Sequence, residues 1–258
     1  MKRRVIKSQN QRDAGLIDFV TEQKEGLCKL MKKTGSKKTS AEHVHDIRVA
    51  VRRLRVALWL AKRESETPRF RSLSGALRDT GKVLGKLRQL DVAIGDAKSY
   101  LLPVSDLKAR QKKVRHEVAL ALTPQLGDFL EKELGRFLSH LRRQGGTKGR
   151  KGASELHDLA HAQRGRVPVA KEEFHQFRIF IKKVRYAIEA FGYPPGPVKV
   201  LHDRLGKAHD LEVLQQLVGK NNAIKRDEDR YLRRAAKLAK PVLRFACERL
   251  VAAAERLP

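Results

Sequence analysis

Residues 43–56 read HVHDIRVAVRRLRV. On a helix turning about 100° per residue, His45, Arg48, Arg52 and Arg55 fall within a sector of about 80°. Ile47, Val51, Leu54 and Leu58 border that stripe on one edge, and Val49 and Val56 border it on the other. A solvated charged face normally lies opposite one apolar face and mixes acids with its bases. Here the stripe has apolar shoulders on both sides and few acids, so it reads as the floor of a groove or channel between packed helices. Stacked cations in such a place need either carboxylates from neighbouring helices or a bound anion. Arginine suits the second role, because a guanidinium stays charged and can grip two oxygens of a phosphate at once.

The stripe occurs twice. HDIRVAVRRLRVAL (45–58) aligns without gaps on HQFRIFIKKVRYAI (175–188), at an offset of 130 residues. The second stripe is His175, Arg178, Lys182 and Arg185. Phe177, Ile181, Val184 and Ile188 flank one edge, and Ile179 and Tyr186 the other. Trp59 enters the sector in the first copy, where Glu189 enters it in the second. Further on, LGKLRQLDV (84–92) matches LGKAHDLEV (205–213). Two matches in the same order imply an internal duplication, hence two similar bundles packed about a pseudo-twofold axis. Both histidines sit near helix starts, where free backbone N–H groups also favour anions. They add a hydrogen bond or, at mildly acidic pH, a charge; a capping or core role is the alternative.

The elements that must position these stripes are helices throughout. Strand-like alternation is absent, and Leu, Ala, Arg, Lys and Glu dominate the long segments. Helices are expected over 11–33, 43–63, 67–98, 104–143, 154–163, 171–191, 197–219 and 222–256, with breaks at Thr67-Pro68 and Leu102-Pro103. The glycine-rich, basic stretch around 144–153 reads as a linker joining an N-terminal half (1–143) to a C-terminal half (154–258). GYPPGP at 192–197 is a weaker break. The expectation is one all-α domain over 1–258.

Charge names the kind of partner. The 258 residues hold 57 Lys+Arg against 29 Asp+Glu, a formal net charge of +28. Such a surplus repels itself in a compact fold unless something anionic offsets it, which points to nucleic acid, an anionic membrane or a phosphate polymer. Aromatic residues make up 5%, too few for a surface that reads single strands by stacking. Cys28 and Cys247 form neither a metal nor a disulfide pattern, as in a reducing compartment. The start MKRRVIKSQNQRD holds no hydrophobic signal segment, and no apolar run reaches the roughly 20 residues of a membrane span. A soluble, cytoplasmic protein is expected, with no membrane insertion.

The pattern H-x-x-R-V-x-x-R-R-x-R at 45–55, its echo H-x-x-R-I-x-x-K-K-x-R-Y at 175–186 and the two LGK motifs resemble the CHAD family, the conserved histidine α-helical domain. The resemblance covers nearly the whole chain. It implies two helical bundles about a pseudo-twofold axis with a basic central channel, inorganic polyphosphate as ligand, and localisation to polyphosphate granules. Carried over by position, it implies a binding set of His45, Arg48, Arg52, Arg53 and Arg55, then His175, Arg178, Lys182, Lys183 and Arg185. Arg88 and His209 of the LGK motifs complete it. One departure is at the first LGK motif: where the family often has Arg-Asp, this chain has Arg88-Gln89, with the acid at Asp91. Polyphosphate also makes independent sense, since a flexible anion without bases needs a charged track and little else.

Two rivals follow from the residues. A metal-dependent phosphohydrolase is suggested by His-Asp pairs at 45–46, 157–158, 202–203 and 209–210. Adjacent helical residues point about 100° apart, however, and His202 and His209 are two turns apart, too far for i,i+4 chelation. GGTKGRKG at 145–152 lacks P-loop spacing. Some members of the family carry a fused triphosphate-tunnel domain; its E-x-E-x-K signature is absent here and no length remains for it. No catalytic residue, metal ligand or cofactor is therefore expected, and the reading is a binding module. The other rival is a nonspecific nucleic-acid-binding protein, supported by charge alone in KRRVIK, KKTGSKK and the 142–151 stretch.

Overall fold

A computed structural model describes residues 15–34, 40–61, 67–143, 150–164, 166, 168 and 170–256. Among them are nine helices and no strand: α1 (Gly15–Thr34), α2 (Ala41–Ala61), α3 (Pro68–Ser99), α4 (Ser105–Ala121), α5 (Pro124–Arg143), α6 (Arg150–Gln163), α7 (Lys171–Ala190), α8 (Gly196–Val218) and α9 (Asn222–Arg256). The fold is all-α, as expected. No described helix is long and apolar enough to cross a membrane.

Local chemistry sets several starts. Ser40 Oγ accepts from His43 N at 3.1 Å, ahead of α2. Thr67 Oγ1 accepts from Phe70 N at 3.2 Å, with Pro68 in the first turn of α3. Asn221 Oδ1 accepts from Ala223 N and Ile224 N, at 2.9 and 3.1 Å, ahead of α9. Each satisfies backbone N–H groups that have no partner inside the helix.

Two boundaries differ from expectation. The single helix expected over 104–143 is two, α4 and α5, parted at Leu122-Thr123. Thr123 Oγ1 accepts from Leu126 N at 3.2 Å and Pro124 opens α5, repeating the Thr-Pro device of α3. The stretch 150–153, expected as linker, is the first turn of α6. Gly152 there is a close-approach residue: a Cβ on it would lie 2.7 Å from the Leu60 carbonyl oxygen of α2. Residues 144–149 of the expected linker, the KRRVIK run and most of KKTGSKK lie outside the described residues.

In the first half, α2 packs on α1 and α3, α5 on α1 and α3, and α4 on α3. In the second, α9 runs against α6, α7 and α8, while α7 packs on α8. The halves meet chiefly through α2 against α7 and α3 against α8. One core crosses this seam, joining Leu54, Leu58 and Leu84 to Ile181, Val184 and Leu205. A smaller cluster joins Leu90, Ile94 and Leu107 to Leu211, Leu214 and Ile224. Each such burial contributes about 1.5–3 kcal/mol. That is what can hold two cation-bearing helices face to face.

Candidate anion-binding site

The α2–α7 seam is antiparallel. Arg53 meets Glu189 (Nη2 to Oε2, 3.1 Å), and Lys183 places its Nζ 3.1 Å from the ring centre of Trp59. Beside the Lys183–Trp59 contact opens a cavity of about 450 Å³. Arg48, Arg52 and Arg55 of α2 and Lys182 and Lys183 of α7 line it, and among the described residues no carboxylate does. Val51, Leu58, Trp59 and Ile179 give it apolar shoulders, and Phe70, Ser74 and Gly81 of α3 close one side. Arg55 and Arg48 lie against α3: a Cβ on Gly81 would be in ordinary contact at 3.7 Å from Arg55 Nη1, and one on Gly85 at 3.9 Å from Arg48 Nε.

Electrostatics mark the cavity as cation-saturated. Burial, and then Arg52, Arg178, Arg48 and Arg55, push Lys182 down to about 7. Burial, and then Arg52, push Arg48 down to about 10. Arg55 is lowered by burial and then by Arg78 and Arg52, and Lys183 falls to about 8 through burial, against the pull of Glu155. Arg52 is fixed by donating to Tyr186 Oη at 3.2 Å, with its guanidinium 5.9 Å from that ring centre. A phosphate chain would relieve these charges by supplying oxygens to the guanidinium forks.

The other sequence-derived residues divide into groups. Arg53 and Arg185 do not line the cavity. Glu189 takes both, Oε2 from Arg53 and Oε1 from Arg185 Nε at 3.0 Å. Arg185 Nη1 also reaches Asp203 at 3.2 Å and His202 Nδ1 at 3.0 Å. Burial and Arg185 hold His202 neutral, its pKa pushed down to about 4. These two arginines follow the reading of cations met by neighbouring carboxylates.

His45, Arg88 and Arg178 extend the basic surface beyond the cavity. Burial and then Arg88 lower His45, whose Nδ1 is buried without a hydrogen-bond partner, as is Arg178 Nε. Burial and then Asp96 raise Asp210, while Arg178, Lys207 and Arg88 oppose the rise. Asp210 is the residue aligned with Gln89, so the acid missing from the first LGK motif is supplied by the second. His175 and His209 stand with rings 5.5 Å apart beside Arg178, in a separate cavity of about 20 Å³ that also contains Glu212 and Glu228. His209 Nδ1 lies 3.2 Å from Glu212 Oε2, and Lys171 Nζ lies 3.1 Å from Glu212 Oε1.

Sequence reasoning gave Asp210, Tyr186 and Phe70 no role at the site. The alignment of Gln89 with Asp210 was a usable signal for the first; the placement of Phe70 needed the α2–α3 packing. Among the described residues, no group of three or more His, Cys, Asp and Glu is arranged to hold a metal ion.

Comparison with known proteins bears on the fold. The structure is similar to the crystal structure of the CHAD domain from the plant Ricinus communis (TM-score 0.63, 22% identity, covering 93% of this chain and 92% of that one). It is also similar to PptA from Streptomyces chartreusis (TM-score 0.65, 12% identity, covering 93% and 99%). A search of curated proteins finds no match. The CHAD domain model matches residues 29–219, and the chain belongs to the CHAD domain family.

Proposed function

We propose that this protein binds inorganic polyphosphate along the α2–α7 seam and does not cleave it. The observation that carries this reading is the cavity into which Arg48, Arg52, Arg55, Lys182 and Lys183 converge, with no carboxylate among its described lining residues. The ligand suits a slot lined by cations rather than by stacking surfaces. The two-bundle arrangement is supported by the seam itself: the offset of 130 residues turns the Arg53–Glu189 contact into Lys183–Trp59, as a twofold relation of two copies would. In cells, the same affinity would draw the protein to cytoplasmic polyphosphate granules.

The test is a competition titration at near-physiological salt. Labelled long-chain polyphosphate is bound, then challenged with duplex DNA, RNA and pyrophosphate. The variant Arg48→Ala/Arg52→Ala/Arg178→Ala/Lys182→Ala runs in parallel. Wild type prefers polyphosphate and releases no orthophosphate from it. The variant binds far more weakly, keeps its helical circular dichroism, and shows a log Kd against log salt slope smaller by roughly 3, by analogy with single-stranded nucleic acids. Equal displacement by DNA with an indifferent variant would make the protein a generic polycation and overturn the reading.

A further inference from the structure

A second cavity, of about 680 Å³, lies between the first turns of α3 and the second half of α5. It is larger than the cavity at the seam and shares one wall with it, because Phe70 lines both. Phe70 is held there by its edge-on contact with Phe137, with ring centres 6.0 Å apart, and by the Thr67 cap on its N–H. Around this second cavity stand Arg69, Lys132, Arg136, His140 and Arg143, with Glu133 as the one acid among the described lining residues, and that acid is taken by Arg136. The surplus is again cationic.

The surroundings of the seam are unlike. Around His175 and His209 a separate cavity among α7, α8 and α9 holds only about 20 Å³, with Glu212 and Glu228 in its wall. An anionic chain leaving that way meets carboxylates and little room. Past Phe70 it meets room and cations. We infer that the α3–α5 cavity is a second polyphosphate subsite, taking the length of chain that runs out of the seam over Phe70. The inference rests on the polyphosphate reading and adds a direction and an exit to it. It also gives the protein a means of favouring long chains, since only a chain that outruns the first cavity gains the second set of cations.

The experiment compares tripolyphosphate with long-chain polyphosphate. The variant is Arg69→Ala/Lys132→Ala/Arg143→Ala, three exposed side chains whose loss leaves the core intact. Its control, Arg110→Ala/Lys112→Ala/Lys113→Ala, removes the same charge from exposed positions on α4. The expected result is about tenfold weaker binding of the long chain by the variant, with tripolyphosphate binding unchanged and the α4 control close to wild type. An equal loss in variant and control would make the effect one of net charge and overturn the subsite. Unchanged long-chain binding in the variant would overturn it too. A wild-type protein that binds neither ligand would overturn the polyphosphate reading itself.

Discussion

Lys183 Nζ stands 3.1 Å from the centre of the Trp59 ring, on the rim of a cavity both residues line. Trp59 is the only tryptophan in the chain, so tryptophan fluorescence reports on the surroundings of this one ring. Burial pushes Lys183 down to about 8, which places its loss of charge in an accessible range. Tryptophan emission is expected to change with a midpoint near pH 8, to lose that change in Lys183→Met, and to shift its midpoint upward with polyphosphate bound. A flat wild-type profile between pH 7 and 9 would show that ammonium and ring are apart in solution.

Lys182 gives a proton linkage of stated sign. Its pKa is about 7 in the free protein, against roughly 10.4 for an unperturbed lysine. Between these values the folded state holds fewer protons than the unfolded one, so this group makes the unliganded protein more stable as pH rises from 7 toward 10. A bound polyanion favours the ammonium, so binding takes up a proton in the same window and affinity falls as pH rises, by up to tenfold per pH unit for this one site. Calorimetry at pH 8 in two buffers of different ionisation enthalpy measures the uptake. Heats that agree after buffer correction without any proton uptake, or equal uptake in Lys182→Met, would rule it out.

Glu189 separates structural arginines from binding ones. Its side chain is 11% exposed and takes both Arg53 and Arg185. Glu189→Gln is expected to cost about 2 kcal/mol in urea unfolding, since it leaves two partly buried guanidinium groups with reduced compensation. Tripolyphosphate affinity should stay within about threefold, because neither arginine lines the cavity. A large loss of affinity with intact stability would place Arg53 and Arg185 on the ligand instead.

Two glycines should respond in opposite directions. A Cβ on Gly152 would meet Leu60 backbone atoms at 2.7 and 2.9 Å, so Gly152→Ala must push α6 away from α2, at about 1–3 kcal/mol. Gly26 in α1 has nothing within 4 Å of an added Cβ, and Gly26→Ala should stabilise by about 0.5–1 kcal/mol. Urea midpoints of both variants check the pair. Similar midpoint shifts would deny the close approach of α6 to α2.

What the sequence disclosed was whatever depends on spacing along one helix. The apolar shoulders of the two stripes become the buried Ile47, Val51 and Leu54 and their partners Phe177, Ile181 and Val184, with Arg48, Arg52 and Lys182 facing one cavity. Which cations find acids was hidden, because Arg53 meets Glu189 across a gap of 136 residues, and that depends on how α2 crosses α7. Glu189 did announce itself as the one acid in the second stripe. The break at Thr123-Pro124 carried the same signal as Thr67-Pro68, but the unbroken helical composition on either side outweighed it. Gly152 looked like linker because a glycine required for close approach and one free to flex are the same letter.

The walls of the seam cavity are the reverse sides of packed hydrophobic layers. Arg52 and Lys182 face the opening, while Leu54, Leu58, Ile181 and Val184 lie buried in the core that joins the halves. Widening the gap would part those layers, and tightly packed interiors resist such deformation. The site therefore works as a fixed gauge as well as a charged surface. On the polyphosphate reading, a single unbranched strand of phosphates is expected to fit such a gauge, and a duplex, whose major groove alone is about 12 Å wide, is expected to stay outside it. Selection between two polyanions of equal charge density then comes from calibre, a property that no single residue in the cavity carries.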